Sequence, residues 1–381
     1  MSNFRITADS VLVGDSWLSN VTLVVKDGLI AAIELIKHPQ AKHVSGRLLP
    51  GLIDLQVNGG GGCLLNATPT VNTIATMVRA HRQYGTTSML PTLITDQLSV
   101  IEATACAVAE SIDVGIPEVL GVHFEGPHLS QKKKGVHPEQ HIRAISDAEL
   151  AIFTRKDLGI VKVTLAPENV TPDVIRDLVG QGVLVVLGHS NASYEQVHEA
   201  LEAGAIGFTH IYNAMSPLQS REPGMVGAAL TDSRSYAGLV LDHHHVHPVA
   251  SQLAIKAKGV DKVFLVTDAM AHVGASEDSL PYFDTVINRE NGKLTTPDGT
   301  LAGSCLDMWQ AVKNAHVDLH VPLEDAVRMA SLTPATLLGE QNLYGQITVG
   351  AKANFLLVDE ALNISNVWVN GTEQYAVGGE Q

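Results

Sequence analysis

The sequence predicts an α/β protein: a (β/α)8 TIM barrel with a small β-sandwich domain built from both chain ends. Eight apolar, β-branched runs between residues 52 and 268 alternate with helix-like stretches, which is the pattern of a parallel barrel. Both ends of the 381-residue chain consist instead of short β-rich runs. A chain of this length suits a large barrel with an accessory domain.

The predicted barrel domain covers residues 50–345. Its strands are predicted at residues 52–57, 87–90, 119–125, 161–165, 183–187, 206–210, 237–241 and 263–268. Helices are predicted between most of them, at residues 70–84, 98–111, 171–180, 193–203 and 248–257. Catalytic residues of such a barrel lie at the C-terminal ends of its strands. The polar residues that end these runs are therefore the first candidates for a site.

The predicted second domain combines residues 1–49 with residues 346–381. Its β-rich runs lie at residues 5–6, 10–13, 21–25, 29–33, 354–358 and 367–369. Two turns have residues suited to hairpins, Lys26-Asp27-Gly28 and Asn370-Gly371. Because the two ends share this pattern, we expect them to pair into one sheet domain.

Charge and cysteine content exclude several classes of partner and compartment. A net charge of −15 argues against binding to nucleic acid or to anionic membranes, which require a basic surface. No apolar run reaches the roughly 20 residues that span a bilayer, and the first 15 residues lack the pattern of a secretory signal. The three cysteines, Cys63, Cys106 and Cys305, form no CxxC pair. We therefore expect a reducing, cytoplasmic environment.

Four strand ends carry residue types that suit a metal-dependent hydrolase. Glu125 ends the third predicted strand, His189 the fifth and His210 the sixth, and such a set leaves a position of a zinc or iron ion open for water. Asp268, at the end of the eighth strand, can take the proton of that water and return it to a leaving amine. A single histidine at a strand end is more often structural, so the prediction depends on all four residues meeting on one face.

Several longer motifs make the resemblance to a known family specific. They are His123-Phe124-Glu125-Gly126-Pro127, Lys133-Lys134-Gly135-Val136-His137, Gly188-His189-Ser190-Asn191-Ala192, Thr209-His210-Ile211-Tyr212-Asn213-Ala214-Met215, Arg221-Glu222-Pro223-Gly224 and Val266-Thr267-Asp268-Ala269. In these motifs the chain resembles the N-acetylglucosamine-6-phosphate deacetylases of the amidohydrolase superfamily. The similarity runs from residue 50 to residue 353.

The resemblance implies hydrolysis of N-acetyl-D-glucosamine 6-phosphate to D-glucosamine 6-phosphate and acetate, a step of amino-sugar catabolism. It implies that the metal ligands are Glu125, His189 and His210, that Asp268 is the catalytic acid and base, and that His137 polarises the acetamide carbonyl. Arg221 and His245 are implied to hold the sugar phosphate. In the family the arginine reaches in from a neighbouring subunit, which implies a homodimer or tetramer. Further substrate contacts are implied for Val136, Asn213, Ala214, Asp242, Leu301, Ala302 and Gly303.

One departure concerns the number of metal ions. Many amidohydrolases carry His-x-His at the end of the first strand, where this chain has Gln56-Val57-Asn58. Carboxamides are poor metal ligands compared with imidazole. We therefore expect one divalent ion per subunit, zinc, with ferrous iron as the alternative. In the run from Asp242 to His247, the resemblance implies a function for His245 alone among the histidines.

Three alternative functions stay open at this point. A deacetylase for N-acetylgalactosamine 6-phosphate would differ only in the configuration of one substrate hydroxyl. A cyclic-amide hydrolase or deaminase of the same superfamily would usually show the His-x-His motif and would not need a phosphate clamp. A non-enzymatic barrel would not need the four strand-end residues.

Overall fold

Eight parallel strands in the middle of the chain form the predicted barrel. In the computed structural model, which describes residues 3–377, their bounds are Leu52–Val57, Thr86–Ile94, Gly121–Glu125, Ile160–Leu165, Leu184–Leu187, Gly207–Phe208, Tyr236–Leu239 and Val263–Leu265. Each strand pairs with the next one along the chain. The ring closes between the eighth strand and the first, where the N–H of Asp268 donates to the carbonyl of Gln56 at 3.0 Å and the N–H of Asn58 donates to the carbonyl of Ala269 at 2.9 Å.

The last strands of the barrel end earlier than the sequence predicts. The run predicted to extend to residue 210 is a strand only over Gly207–Phe208, and the run predicted to extend to residue 268 ends at Leu265. His210 has φ of 27° and Asp268 has φ of 52°. These left-handed conformations are incompatible with a strand. The chain therefore turns at the residues predicted to be functional.

Helices surround the barrel between its strands. Their bounds are Val71–Arg82, Leu98–Asp113, Asp147–Phe153, Pro172–Gly180, Tyr194–Glu202, Gly224–Thr231, Pro248–Lys258, Met308–Lys313, Leu323–Ala330 and Leu332–Leu337, with a π-helical turn at Asn314–Asp318. The five predicted helices are confirmed to within two residues at each end. Their starts follow familiar rules, since Thr70 and Ser193 cap two of them and prolines open two others. No helix within residues 3–377 has both the length and the apolar character that crossing a membrane requires.

Both chain ends contribute to a second, separate sheet of eight strands. Its strands are Phe4–Val13, Ser16–Ser19, Thr22–Lys26, Leu29–Glu34, Lys42–Pro50, Phe355–Val358, Ile364–Val369 and Thr372–Ala376. Lys42–Pro50 joins the two ends, because it pairs with Phe4–Val13 on one side and with Phe355–Val358 on the other. The sheet has an apolar core of its own. The predicted fold class is thus confirmed, whereas the predicted domain boundaries stay a prediction.

Several details of the fold differ from the sequence prediction, which did not include the strands Ser16–Ser19, Lys42–Pro50 and Thr372–Ala376. The runs predicted at residues 5–6 and 10–13 belong to one strand, Phe4–Val13, which contains an irregularity between Ala8 and Ser10. A three-stranded sheet of Ser279–Tyr282, Thr285–Glu290 and Lys293–Thr295 follows the eighth barrel strand and was not predicted. The hydroxyl of Tyr282 donates to the carbonyl of Val136 at 2.9 Å. The small sheet is thereby tied to the segment that carries His137.

Candidate active site

The four strand-end residues meet on one face of the barrel, as predicted. Glu125, His189 and His210 are buried, Asp268 is partly buried, and all four line a single cavity of about 160 Å³. His189, with φ of 47°, His210 and Asp268 all adopt left-handed backbone conformations. Such conformations cost on the order of 1–3 kcal/mol each for residues other than glycine and concentrate at functional sites. Three separate examples around one cavity indicate that the fold is stabilised elsewhere to hold these side chains in place.

Two imidazoles and one carboxylate converge closely enough to hold a metal ion. The Nε2 atoms of His189 and His210 lie 2.9 Å apart, and Oε1 of Glu125 lies 3.5 Å from the first and 3.2 Å from the second. Ligand atoms of the three residues all lie within 4.8 Å of one another. This donor set suits a zinc or ferrous ion and leaves coordination positions for water and substrate.

The hydrogen bonds around the imidazoles also fit metal binding. Nδ1 of His189 lies 2.9 Å from the carbonyl oxygen of Lys133. Because a carbonyl can only accept, Nδ1 carries the proton and Nε2 presents its lone pair to the cluster. Burial acts to raise the pKa of Glu125, but the contacts of its carboxylate with the His189 and His210 side chains outweigh burial and hold that pKa well below its usual range. The carboxylate is therefore ionised, as a metal ligand must be.

Asp268 lies beside this cluster in a different electrostatic environment. Burial, followed by the negative charge of Glu125, raises the pKa of the Asp268 carboxyl above its ordinary value. A raised pKa brings a carboxylate closer to the range in which it can both accept and return a proton near neutral pH. The pKa of Glu125 is thus lowered and that of Asp268 raised, which suits a metal ligand and an acid–base group respectively.

His137 is held in the tautomer that can donate a hydrogen bond into the cavity. Its Nδ1 accepts the backbone N–H of Thr95 at 3.3 Å and lies 2.9 Å from the Thr95 hydroxyl. Nδ1 is therefore the unprotonated nitrogen, and Nε2 carries the proton of the neutral ring. Burial and then the charge of His189 place the pKa of His137 well below its usual value, so the ring stays neutral. A neutral imidazole with a free Nε2–H can polarise a carbonyl oxygen.

Most of the residues predicted to bind substrate also border this cavity. Those that line it are Val136, Asn213, Ala214, His245, Leu301 and Gly303. Ala302 is fully buried between the last two. Arg221 lies elsewhere, on an exposed segment before the helix Gly224–Thr231. Within one chain the structure therefore brings together every predicted site residue except Arg221, Asp242 and Ala302.

Asp242 contacts His245 rather than the cavity. Its Oδ2 accepts from Nδ1 of His245 at 2.7 Å, and its Oδ1 accepts the backbone N–H groups of His244 at 2.9 Å and His245 at 2.8 Å. Burial opposes ionisation of Asp242, but the His245 hydrogen bond and charge outweigh burial and lower the pKa. The carboxylate fixes the His245 ring and leaves Nε2 as the nitrogen available to a ligand.

Two supporting residues were missed by the sequence analysis. Thr95 holds His137, and the carbonyl of Lys133 orients His189. Thr95 directly follows the second barrel strand, Thr86–Ile94. The strand-end rule did not identify it, because the sequence pattern predicts that this strand ends at residue 90. The Lys133 contact uses the main chain, and no side-chain pattern predicts it.

Comparisons with known proteins give matches over nearly the whole chain. The model of the amidohydrolase family matches residues 47–373. The N-acetylgalactosamine-6-phosphate deacetylase of Shewanella sp. (strain ANA-3) is 45% identical over 98% of this chain and 97% of its own length. The N-acetylglucosamine-6-phosphate deacetylase of Vibrio furnissii is 38% identical over 96% of this chain and 93% of its own. The crystal structure of N-acetylglucosamine-6-phosphate deacetylase from Pasteurella multocida superimposes with a TM-score of 0.94 at 36% identity, covering 98% of this chain and 100% of that one.

Proposed function

This chain belongs to the amidohydrolase family of metal-dependent hydrolases, and we propose that it hydrolyses N-acetyl-D-glucosamine 6-phosphate to D-glucosamine 6-phosphate and acetate. The observation that carries the proposal is one cavity holding three kinds of group: the Glu125, His189 and His210 cluster, the acid–base candidate Asp268, and the neutral donor His137. Amide hydrolysis needs an activated water, a stabilised oxyanion and a proton for the leaving nitrogen. The metal-ligand cluster would activate the water, His137 would stabilise the oxyanion, and Asp268 would provide the proton.

The proposed cofactor is one zinc ion per chain, with ferrous iron as the alternative. Glu125, His189 and His210 would hold the ion, and their donor types fit either metal. When bound, such an ion supplies a Lewis acid and makes hydroxide available near pH 7. At the first strand, Gln56 and Asn58 use their amide N–H groups to bond carboxylates, which supports a single ion.

The chain's own residues carry the remaining chemistry. Asp268 takes a proton from the water as the oxygen of that water bonds to the acetyl carbon. The Nε2–H of His137 donates to the carbonyl oxygen as negative charge develops there. Asp268 then delivers the proton to the nitrogen as the C–N bond breaks, which releases the amine and acetate. His245 and Arg221 bind the phosphate, so that contacts remote from the amide orient it.

A second candidate substrate is N-acetyl-D-galactosamine 6-phosphate. It is supported by the 45% identity to the Shewanella relative, which exceeds the 38% identity to the Vibrio furnissii relative. The deciding experiment compares kcat/KM for the two phosphorylated sugars, with their unphosphorylated forms as controls. A clear preference for the galacto epimer would replace the first substrate by the second. Activity on neither phosphorylated sugar would refute the proposed function.

We also propose a homo-oligomer in which Arg221 completes the phosphate site of a neighbouring subunit, as a dimer or a tetramer. Its exposure, together with Leu218, which is 53% exposed on the same segment, supports a contact outside the chain. We propose a cytoplasmic location as well. All three cysteines are free, and free thiols suit a reducing compartment.

Arg221→Ala is expected to raise KM for the phosphorylated sugar by about 10- to 100-fold, because a hydrogen bond to a charged group contributes roughly 1.5–3 kcal/mol. Steady-state kinetics on phosphorylated and unphosphorylated sugars provide the measurement. An unchanged KM would remove Arg221 from the phosphate site. Mixed oligomers of Arg221→Ala and Asp268→Asn chains test the subunit exchange, since some sites would then combine an intact Asp268 with the arginine of the partner and show the normal KM.

Asp242→Asn is expected to raise KM for the phosphorylated sugar by about tenfold while kcat changes little, because His245 loses the charge-assisted hydrogen bond that orients it. A neighbouring histidine of the same run, His243, offers a matched control because it also pairs with an aspartate. Asp318 pairs with His243 at 2.9 Å, and Asp318→Asn should leave KM unchanged. Equal effects of the two variants would argue against a specific role for the Asp242–His245 pair.

A further inference from the structure

We propose that the carboxamides of Gln56 and Asn58 position Asp268 for proton transfer by holding its Oδ1 atom, which leaves Oδ2 as the oxygen that exchanges protons with water and substrate. The inference rests on the proposed function and adds two positioning residues to it. Both side chains belong to the end of the first barrel strand and are 1% exposed. Neither was expected from the sequence to do more than occupy the place of absent metal ligands.

Both amides donate to the same carboxylate oxygen. Nδ2 of Asn58 lies 2.7 Å from Oδ1 of Asp268, and Nε2 of Gln56 lies 3.1 Å from that atom. A carboxylate oxygen has two lone pairs, and two N–H donors occupy both. Within residues 3–377 no hydrogen-bond donor contacts Oδ2 of Asp268, although the residue lines the cavity. The two oxygens of Asp268 are therefore inequivalent before any substrate binds.

Gln56 also couples Asp268 to the candidate metal ligand. The same Nε2 lies 3.0 Å from Oε1 and 3.1 Å from Oε2 of Glu125. An amide NH2 group has two hydrogens, so one can serve each carboxylate. Two neighbouring carboxylates repel each other, and a shared donor placed between them offsets part of that repulsion. With the opposite amide orientation, Oε1 of Gln56 would face the carboxylates of Glu125 and Asp268, which are also acceptors. The negative charges of the two carboxylates therefore favour the orientation in which Nε2 of Gln56 faces them.

The backbone holds the bridge in register. Oδ1 of the buried Asp54 accepts the N–H of Gln56 at 3.1 Å and the N–H of Thr267 at 3.3 Å, and the N–H of Asp268 donates to the carbonyl of Gln56 at 3.0 Å. The first and eighth strands are thereby joined directly beneath the side chains in question. Gln56 and Asp268 consequently share one rigid support, which is what positioning of a proton carrier requires.

Asn58→Ala is the primary test, because among the described residues 3–377 Asp268 is the only ionisable group whose hydrogen bond the change removes. We expect kcat to fall by about 10- to 100-fold, the usual effect of removing a group that orients a functional side chain. KM and bound metal per chain should stay within about twofold. The control is Asn354→Ala. Asn354 is 6% exposed and accepts the backbone N–H of Asn370 in the sheet of the chain ends, so its loss should lower thermal stability without lowering kcat.

A double-mutant cycle separates positioning from a general loss of structure. If Asn58 acts through Asp268, then adding Asn58→Ala to Asp268→Asn should lower kcat no further, because the group being positioned is already gone. Fully multiplicative effects would overturn the inference. So would a raised KM with unchanged kcat, which would make Asn58 a substrate contact.

Gln56→Met gives an independent check on the bridge. The variant keeps the length of the side chain and removes its donor, so kcat should fall while the chain remains fully loaded with metal. Normal kcat per metal-loaded chain would overturn the role of Gln56. Failure of the proposed function would give a different result from failure of this inference. If the proposed function is wrong, the unmodified protein itself releases no acetate from either phosphorylated sugar.

Discussion

Asp268→Asn is expected to lower kcat by about 1,000-fold, within the range of roughly 10²–10⁴ that general acid–base catalysis contributes. The amide keeps the shape of the side chain but can no longer accept the proton of the attacking water. The ligand cluster of Glu125, His189 and His210 does not include Asp268. Metal content, measured by elemental analysis, should therefore equal that of the unmodified protein.

The kinetic pattern of this variant distinguishes acid–base catalysis from substrate binding. KM should change little, because the interaction is made in the transition state rather than in the bound substrate. Asp307→Asn is a suitable control. Burial raises the pKa of that carboxyl too, but its side chain caps the helix Met308–Lys313. Near-normal turnover in Asp268→Asn would remove Asp268 from the mechanism.

His189→Ala is expected to abolish metal binding and to reduce activity by about 1,000-fold or more, since a bound ion supplies several kcal/mol of transition-state stabilisation. The variant leaves two of the three ligands and removes an imidazole that the Lys133 carbonyl orients. Elemental analysis and acetate release measured on the same sample provide the test. His198→Ala, which changes an exposed histidine on the helix Tyr194–Glu202, should keep both metal and activity.

The position of the ligand cluster could be predicted because strand ends are readable in this sequence. The barrel strands are apolar runs of short length, and a polar residue at the end of such a run projects toward the mouth of a parallel barrel. Glu125, His189, His210 and Asp268 therefore emerged from pattern alone. The left-handed backbone conformations of His189, His210 and Asp268 could not be predicted. Asp and His adopt a positive φ more readily than most residues, but the residue type does not say at which positions they do so.

Other features depend on contacts that a single sequence does not specify. The small sheet of Ser279–Tyr282, Thr285–Glu290 and Lys293–Thr295 contains Pro281 and many polar residues, so its strands resemble a loop despite the Asn291-Gly292 turn. The pairing of Asp242 with His245 is likewise a matter of geometry. The substrate contact that the resemblance implies for Asp242 stays a prediction, and the structure adds that its carboxylate orients the histidine.

Gln56 and Arg221 show two ways in which the sequence alone does not specify the role of a residue. For Gln56, sequence reasoning identified a missing metal ligand, and only the structure shows that its amide bridges Glu125 and Asp268. For Arg221, the family resemblance implies a role that a single chain does not test, because the residue is exposed and is not among those that line the cavity. The phosphate contact that we propose for Arg221 would require a neighbouring subunit.

The most direct test of metal-dependent deacetylation is acetate release from N-acetylglucosamine 6-phosphate by untreated protein, by chelator-stripped protein, and by stripped protein given zinc or ferrous iron. We expect release by the untreated and reconstituted samples, none by the stripped sample, and little from unphosphorylated N-acetylglucosamine. Full activity in protein shown to be metal-free would contradict the role of the Glu125, His189 and His210 cluster. Absence of release from both epimeric 6-phosphates under every metal would contradict the proposed reaction itself.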